Sequence, residues 1–176
     1  MKKKNVILIG MPAAGKSTIG ILLAKALGWS FLDTDVVIQA AYQKNLHELI
    51  SGCGLEGFCQ IEKEYILTLD VRQTVIATGG SVVYYESAMR HLKEEGLVLY
   101  LKLPLKILKE RISDMADRGV VVEPGQSLDR LYEKRIPLYE KYADLTVDLT
   151  GLYHQQALDK ILKILPDTFY ISFDNK

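Results

Sequence analysis

The 176-residue chain has little of several features that mark secreted, membrane or nucleic-acid-binding proteins. Its two cysteines, Cys53 and Cys59, are too few for a disulfide scaffold or for a zinc site of their own. No apolar run approaches the roughly 20 residues that span a bilayer. Lysine plus arginine equals aspartate plus glutamate at 22 each, so no excess positive charge attracts nucleic acid or an anionic membrane. We expect a monomeric cytoplasmic protein with a small-molecule partner.

The N-terminus looks superficially like a signal peptide, because Lys2, Lys3 and Lys4 precede an apolar run. Pro12 and Lys16 cut that run short, which favours a first β-strand instead. With 48% hydrophobic residues the chain can bury the core of one compact domain, which we assign to residues 1–166. Pro166 is expected to end the last helix and leave residues 167–176 as a tail.

Strand-like and helix-like segments alternate along the chain, which predicts an α/β fold with a parallel sheet between two helical layers. The five predicted strands are residues 5–9, 30–33, 74–78, 98–101 and 145–147. The helical periods cover residues 16–27, 86–95, 105–115, 127–142 and 153–165.

Two stretches do not fit simple crossovers between strands. Residues 35–70 predict two or three helices broken at Ser51-Gly52-Cys53-Gly54, and we interpret them as a substrate-binding insert. Residues 115–125 are polar, contain glycine and lack periodicity, which is typical of a lid over a ligand.

A phosphate-binding loop follows the first strand. Gly10-Met-Pro-Ala-Ala-Gly15-Lys16-Ser17 matches G-x-x-x-x-G-K-[ST] at every fixed position and precedes an amphipathic helix. Backbone N–H groups of such a loop wrap the β-phosphate, the lysine reaches the β- and γ-phosphates, and the serine ligates Mg²⁺. The sequence therefore predicts ATP and Mg²⁺ as cofactors, with nucleotide contacts from Gly10, Ala13, Ala14, Gly15, Lys16, Ser17 and Thr18.

Two carboxylates follow the second strand, at Asp33 and Asp35. Ligands collect at the carboxyl ends of parallel strands, so this pair is expected beside Mg²⁺ and the phosphoryl acceptor. Asp33 is assigned to the metal, with Ser17, and Asp35 is assigned to the acceptor hydroxyl. The alternative is structural, because Asp33 or Thr34 can cap a helix that begins at Val36.

Weaker signals complete the site. Gly79-Gly80-Ser81 follows the third strand and can form an anion-binding turn, although such glycine pairs are mostly plain turns. Arg118 lies in the predicted lid, Arg111 precedes it by seven residues, and Arg135 lies in a helix that Pro137 is expected to kink or end. Each arginine alone is typical of a solvated surface residue.

Taken in order, these motifs resemble the shikimate kinase family from Lys4 to about Leu165. The strongest matches are the segment from Gly10 to Asp35, the segment IATGGS from Ile76 to Ser81, and KRIPLYEKYAD from Lys134 to Asp144. The resemblance implies a P-loop kinase of the nucleoside-monophosphate-kinase type. Such an enzyme transfers the γ-phosphoryl group of ATP to a ring hydroxyl.

By position, the resemblance also implies roles for single residues. Arg118 closes over the phosphates, Arg111 lies against the adenine, and Arg135 holds the substrate carboxylate. Gly79 and Gly80 lend backbone donors. The implied catalytic residues are Lys16, Asp35 and Arg118, and the implied substrate residues are Asp35, Cys59, Glu62, Gly79, Gly80, Ser81 and Arg135.

Three departures from the family pattern concern the acceptor and the lid. Position 59 is cysteine where the family has an arginine that grips the substrate carboxylate, which leaves Glu62 with Lys63 or the ligand as its only expected cation. Ser81 replaces a third glycine. In the lid, Gly119 and three valines stand where the family has proline and leucines.

The expected activity is ATP-dependent phosphorylation of a small-molecule hydroxyl, with shikimate the leading acceptor because Asp35, Arg135 and the glycine turn remain. Two alternatives stay open: another small hydroxylated metabolite, favoured by Cys59, and a non-catalytic nucleotide-binding regulator on the same fold.

Overall fold

Strands and helices alternate along the described part of the chain, which is residues 5–113 and 127–169 of a computed structural model. The strands are β1 (Asn5–Ile9), β2 (Ser30–Asp33), β3 (Thr74–Ala77), β4 (Gly96–Lys102) and β5 (Leu145–Asp148). The helices are α1 (Lys16–Leu27), α2 (Thr34–Tyr42), α3 (Leu46–Thr68), α4 (Glu86–Glu95), α5 (Leu105–Ser113), α6 (Leu128–Tyr142) and α7 (His154–Ile164). Short 3-10 turns cover Val82–Tyr84 and Asp167–Phe169.

The five strands form one parallel sheet in the order β2-β3-β1-β4-β5. β1 lies in the centre, where it pairs with β3 through Val6 and Val75 and with β4 through Val6 and Leu97. All five residues of β1 are buried. A central parallel strand is covered on both faces, which explains why its sequence is a continuous apolar run.

Helices cover both faces of the sheet. α1 packs on β3 and against α7, whereas α4 packs on β4 and against α3. The predicted three-layer α/β/α fold around a five-stranded parallel sheet is confirmed.

The break expected within residues 51–54 is found at Gly54, and a second break, which was not located from the sequence, separates α2 from α3. α2 ends at Tyr42, and Asn45 begins α3 through a reciprocal capping box with Glu48. Within α3, Gly54 has φ 72° and ψ 170°, which is not helical, so this segment consists of two helices joined at Gly54. The second of them carries Cys59 and Glu62.

One expected helix start differs from the structure, and two expected segments lie wholly or partly outside the described residues. α2 begins at Thr34 with Asp33 as its N-cap, two residues before the expected start at Val36. α6 covers Leu128–Tyr142, close to the predicted 127–142, and Pro137 lies inside it without ending it. Residues 114–126, which contain the expected lid and Arg118, and residues 170–176 of the tail lie outside the described residues.

The described start of the tail packs on the body of the domain. Phe169 is buried, and its ring lies 5.6 Å from the ring of Trp29, measured between centroids.

Asn5 hydrogen-bonds three backbone groups at the start of the sheet, and replacing it tests how much these bonds contribute to the free energy of unfolding. Its buried amide donates to Val71 O (2.7 Å) and Glu95 O (3.2 Å) and accepts from Thr74 N (3.2 Å). Asn5→Ala leaves these three backbone groups without their partner, so we expect the free energy of unfolding to fall by about 2–4 kcal/mol in urea titrations. Arg90→Ala breaks only an exposed ion pair and should change it by less than about 0.5 kcal/mol. Equal losses in the two variants would contradict the role of Asn5.

Candidate active site

The loop between β1 and α1 has the backbone geometry of a phosphate cradle. Gly10 and Gly15 have φ values of 149° and 98°, which L-residues with a side chain rarely adopt. A Cβ on Gly10 would also lie 2.8 Å from Leu101 O. Lys16 begins α1, so the unpaired N–H groups of the first helical turn lie at this loop. The chain therefore offers an anion site at the carboxyl end of the central strand.

The Lys16 ammonium lies across this loop. Its Nζ donates to Gly10 O at 2.9 Å and to Met11 O at 3.0 Å. Desolvation lowers the pKa of Lys16 to about 8, and the negative charge of Asp35 opposes this shift. The ammonium is thus held in place beside the carboxylate that the sequence assigns to the acceptor.

Asp33 caps a helix and also contacts the serine of the loop. Its Oδ1 accepts from Asp35 N (3.0 Å) and Val36 N (3.3 Å), as the structural interpretation predicts. Its Oδ2 accepts from Ser17 Oγ at 2.6 Å, as expected if both residues serve one metal. One carboxylate therefore caps α2 and contacts Ser17, and its part in binding a metal stays a prediction.

These oxygen donors fit Mg²⁺. Mg²⁺ prefers oxygen ligands and is usually held by one or two protein groups together with substrate phosphates and water. Ser17 and Asp33 supply such groups next to the phosphate loop, and residues 5–113 and 127–169 contain no cluster of three or more His, Cys, Asp or Glu residues that could cage an ion by itself.

Asp35 lies against the turn that follows β3. A Cβ placed on Gly79 would lie 2.9 Å from Asp35 Oδ1 and closer still to Glu62 Oε1, so position 79 has no room for a side chain. Thr34 Oγ1 accepts from Gly79 N at 3.0 Å and fixes the turn. Desolvation raises the pKa of Asp35, with Lys16 opposing the shift and Asp33 adding to it.

Arg135 lies against the next residue of the same turn. A Cβ on Gly80 would be 2.7 Å from Arg135 Nη1. Arg135 is 7% exposed and donates through Nε to Tyr84 Oη at 3.2 Å. Tyr139 Oη donates to Gly80 O at 2.9 Å. A buried guanidinium thus lies beside the glycine turn, within the site rather than on the surface.

Cys59 and Glu62 share a buried face of α3, as their spacing predicts. Ser81 Oγ donates to Glu62 Oε2. Lys63, the cation expected beside Glu62, instead places its Nζ 5.8 Å from the centre of the Tyr85 ring. Burial raises the pKa of the Cys59 thiol, which is therefore neutral at physiological pH.

Of the two remaining arginines of the predicted site, the structure describes only Arg111. Arg111 Nη1 donates to Ala13 O at 3.2 Å, which brings it to the phosphate loop, and its contact with adenine stays a prediction. Arg118 lies outside the described residues, so its closure over the phosphates also stays a prediction.

Three residues that position the site were not identified from sequence in that role. Thr34 holds Gly79, Tyr84 holds Arg135, and Tyr139 holds Gly80. Tyr139 had a usable signal, because it follows Arg135 by four residues and so lies on the same helix face. Thr34 and Tyr84 act across long sequence separations and give no local signal.

Comparison with known proteins points to one family. The profile of shikimate kinase matches residues 12–166. A shikimate kinase from Thermodesulfovibrio yellowstonii is 38% identical over 163 residues, which covers 91% of this chain and 94% of that protein. One from Nostoc sp. is 37% identical over 166 residues, which covers 92% and 91%.

Solved structures agree. A shikimate kinase from Acinetobacter baumannii in complex with shikimate has a TM-score of 0.84 and 30% identity, covering 93% of each chain. A gluconokinase from Sinorhizobium meliloti, at a TM-score of 0.52 and 16% identity, is similar in fold alone.

In the part of this chain that the structure describes, no helix is long and apolar enough to cross a membrane.

Lys16→Ala tests the phosphate loop. Only the phosphates of a nucleotide should contact the ammonium, so we expect calorimetry to show a larger loss of affinity for Mg²⁺-ATP, tenfold or more, than for adenosine. Lys25→Ala, on the exposed last turn of the same helix, should affect neither. An equal loss for ATP and adenosine in Lys16→Ala would refute the assignment.

Proposed function

This chain belongs to the shikimate kinase family, whose members are ATP-dependent kinases, and we propose that it transfers the γ-phosphoryl group of ATP to a hydroxyl of shikimate. The product is then shikimate 3-phosphate, an intermediate of aromatic amino-acid biosynthesis. A non-catalytic regulator is disfavoured, since the chain retains both the phosphate-loop lysine and the acceptor carboxylate.

Three charged groups near one glycine turn carry this proposal. A carboxylate that suits a hydroxyl and a cation that suits a carboxylate border the turn, and the cation that suits phosphate acts on the first of them. Lys16 and Asp35 interact electrostatically, and Asp35 borders Gly79. Arg135 borders Gly80. An acceptor that carries both a hydroxyl and a carboxylate can therefore meet Asp35 with one end and Arg135 with the other.

The charges around the turn support transfer to a hydroxyl oxygen. Asp35 accepts a hydrogen bond from the acceptor hydroxyl and takes its proton as the new bond to the γ-phosphorus forms. The bond between the γ-phosphorus and the bridging oxygen breaks, and ADP leaves. The raised pKa of Asp35 makes it a stronger base than an exposed aspartate, and Lys16 offsets the charge that moves onto the leaving phosphate.

The phosphate end of the site requires a metal and further cations. Ser17 and Asp33 are the residues that would hold Mg²⁺, directly or through its water shell. Bound there, Mg²⁺ supplies positive charge for the phosphate oxygens. We assign Arg111 to the adenine side of the loop and Arg118 to the phosphates, which completes the set of cations.

A different small hydroxylated metabolite is the second candidate, and Cys59 is the observation that favours it. The buried thiol carries no positive charge, so it cannot replace a guanidinium that binds a carboxylate. Losing one side of a buried charge pair costs on the order of 2–5 kcal/mol. A neutral or amine-bearing acceptor would lose less here than an anionic one.

We propose a monomeric cytoplasmic enzyme that acts on small molecules. Both cysteines are free thiols, which suits a reducing compartment. The zero net charge at pH 7 gives no electrostatic reason for a nucleic-acid or membrane partner.

The direct test is ADP release, coupled to a reporter, with shikimate and with a panel of neutral and amino alcohols. Saturable turnover with shikimate supports the first proposal. Turnover only with another alcohol would favour the second candidate instead.

Asp35→Asn keeps the size of the side chain and removes its charge and its capacity to take a proton. We expect turnover to fall by about 100-fold or more, with the Kd for Mg²⁺-ATP changed little. Asp159→Asn, on the exposed surface of α7, is the control and should keep full turnover. Unaltered turnover in Asp35→Asn would mean that this residue is only structural.

Cys59→Arg restores a guanidinium next to Glu62. We expect the KM for shikimate to fall about tenfold if 1.4 kcal/mol of carboxylate contact is recovered. Cys53→Arg, at the exposed cysteine of the same helical segment, is the matched control and should leave KM unchanged. A wild-type enzyme with a low KM that Cys59→Arg does not improve would show that another cation binds the acceptor.

A further inference from the structure

Glu62 is a buried carboxyl group in which only one of the two oxygens has a hydrogen-bond partner among the described residues. Its side chain is 0% exposed, and Oε2 accepts from the hydroxyl of Ser81. Oε1 is buried and has no hydrogen-bond partner among the described residues. A charged carboxylate in that position is costly, because the free oxygen is buried from bulk solvent and no second donor among the described residues reaches it.

The nearby cations Lys16 and Arg135 act on Glu62 through their charges, but the hydrogen bonds that the structure gives them go to other groups. Lys16 donates to two carbonyls of the phosphate loop, Arg135 donates to Tyr84, and Lys63 lies over the ring of Tyr85. The only hydrogen bond that the structure gives to the carboxyl of Glu62 thus comes from a neutral hydroxyl. The titratable or charged groups that act on Glu62 and its neighbours from the packed elements are Lys16, Asp35, Cys59, Lys63, Tyr85, Arg135 and Tyr139.

The free oxygen lies at the acceptor pocket. Glu62 Oε1 and Asp35 Oδ1 both crowd the point that a Cβ on Gly79 would occupy, and Arg135 borders the following residue, Gly80. Glu62 therefore lies between the end of the pocket that meets a hydroxyl and the end that meets a carboxylate. A negative charge on Glu62 would repel an anionic acceptor held by Arg135, and the burial of both side chains limits the screening of that repulsion by solvent.

We propose that Glu62 selects the acceptor by its protonation: the enzyme binds an anionic acceptor in the form in which Glu62 carries a proton, and Ser81 is the positioning residue that holds this carboxyl and sets the pH at which it ionises. The inference rests on the proposed function, because it takes an anionic acceptor at Arg135. It links Cys59 and Ser81, because their thiol and hydroxyl act on one carboxyl, which has no cationic hydrogen-bond partner in residues 5–113 and 127–169.

The direction in which the pKa of Glu62 is shifted agrees with this proposal. The pKa of Glu62 is raised to about 7. Burial is the largest cause and the charge of Asp35 adds to it, whereas the hydrogen bond from Ser81 and the charges of Arg135 and Lys16 oppose the rise. Glu62 is then mostly neutral at pH 6 and mostly charged at pH 8. If only the neutral form binds the acceptor, the KM for shikimate rises about tenfold between these pH values.

The first test is the KM for shikimate from pH 6 to 8.5 at saturating Mg²⁺-ATP. Wild type should show the rise, and Glu62→Gln, whose side chain cannot ionise, should show a flat profile. Ser81→Ala removes a donor that favours the charged form, so its rise should begin at higher pH. Cys59→Arg supplies a cation, so Glu62 should stay ionised and paired, and the profile should be flat. A purely structural role for Ser81 would change KM without moving the profile along the pH axis.

A second measurement does not depend on turnover. In protein labelled with ¹³C at glutamate side-chain carboxyls, the resonance that disappears in Glu62→Gln should titrate near pH 7 in wild type and at higher pH in Ser81→Ala. Titration below pH 5, or a flat wild-type KM profile, would overturn the inference and leave the proposed function standing. Absence of shikimate turnover at every pH, with Glu62 titrating near 7, would overturn the proposed acceptor and with it the selection of an anionic one.

Discussion

The placement of β1 between two parallel neighbours is the constraint on which the rest of the site depends. Its backbone is hydrogen-bonded to β3 on one side and to β4 on the other, and its side chains are fully buried. The loop that follows β1 therefore starts from a fixed point, and the segments after β2 and β3 reach the same edge of the sheet. A phosphate loop, a pair of carboxylates and a glycine turn become neighbours for this reason, although they lie far apart in sequence.

At that edge of the sheet, the glycine turn brings carboxyl groups and a guanidinium close to the backbone at two successive residues. Asp35 and Glu62 crowd Gly79, and Arg135 crowds Gly80, because the absence of Cβ atoms lets charged side chains approach the backbone closely. Thr34 and Tyr139 hydrogen-bond the turn from two different helices. The turn is thus bordered by ionisable groups whose charges act on one another, which is typical of a catalytic site.

The acceptor half of the pocket differs from the family pattern in a concerted way. A neutral thiol stands at position 59, and a serine stands at position 81, where it donates to the same carboxyl that the missing arginine would contact. The two departures looked independent in the sequence. In the structure they meet at Glu62, so they change one electrostatic property of the pocket rather than two.

The sequence by itself determined the fold class, the phosphate loop and the carboxylates after β2, because these depend on local periodicity and on spacing within one motif. It did not reveal that Lys63 packs on Tyr85, that Tyr84 holds Arg135, or that Ser81 is the partner of Glu62. Each of these contacts joins different segments of the chain. Only the tertiary structure decided them, because the choice among donors for a buried group depends on which side chains packing brings within hydrogen-bond distance.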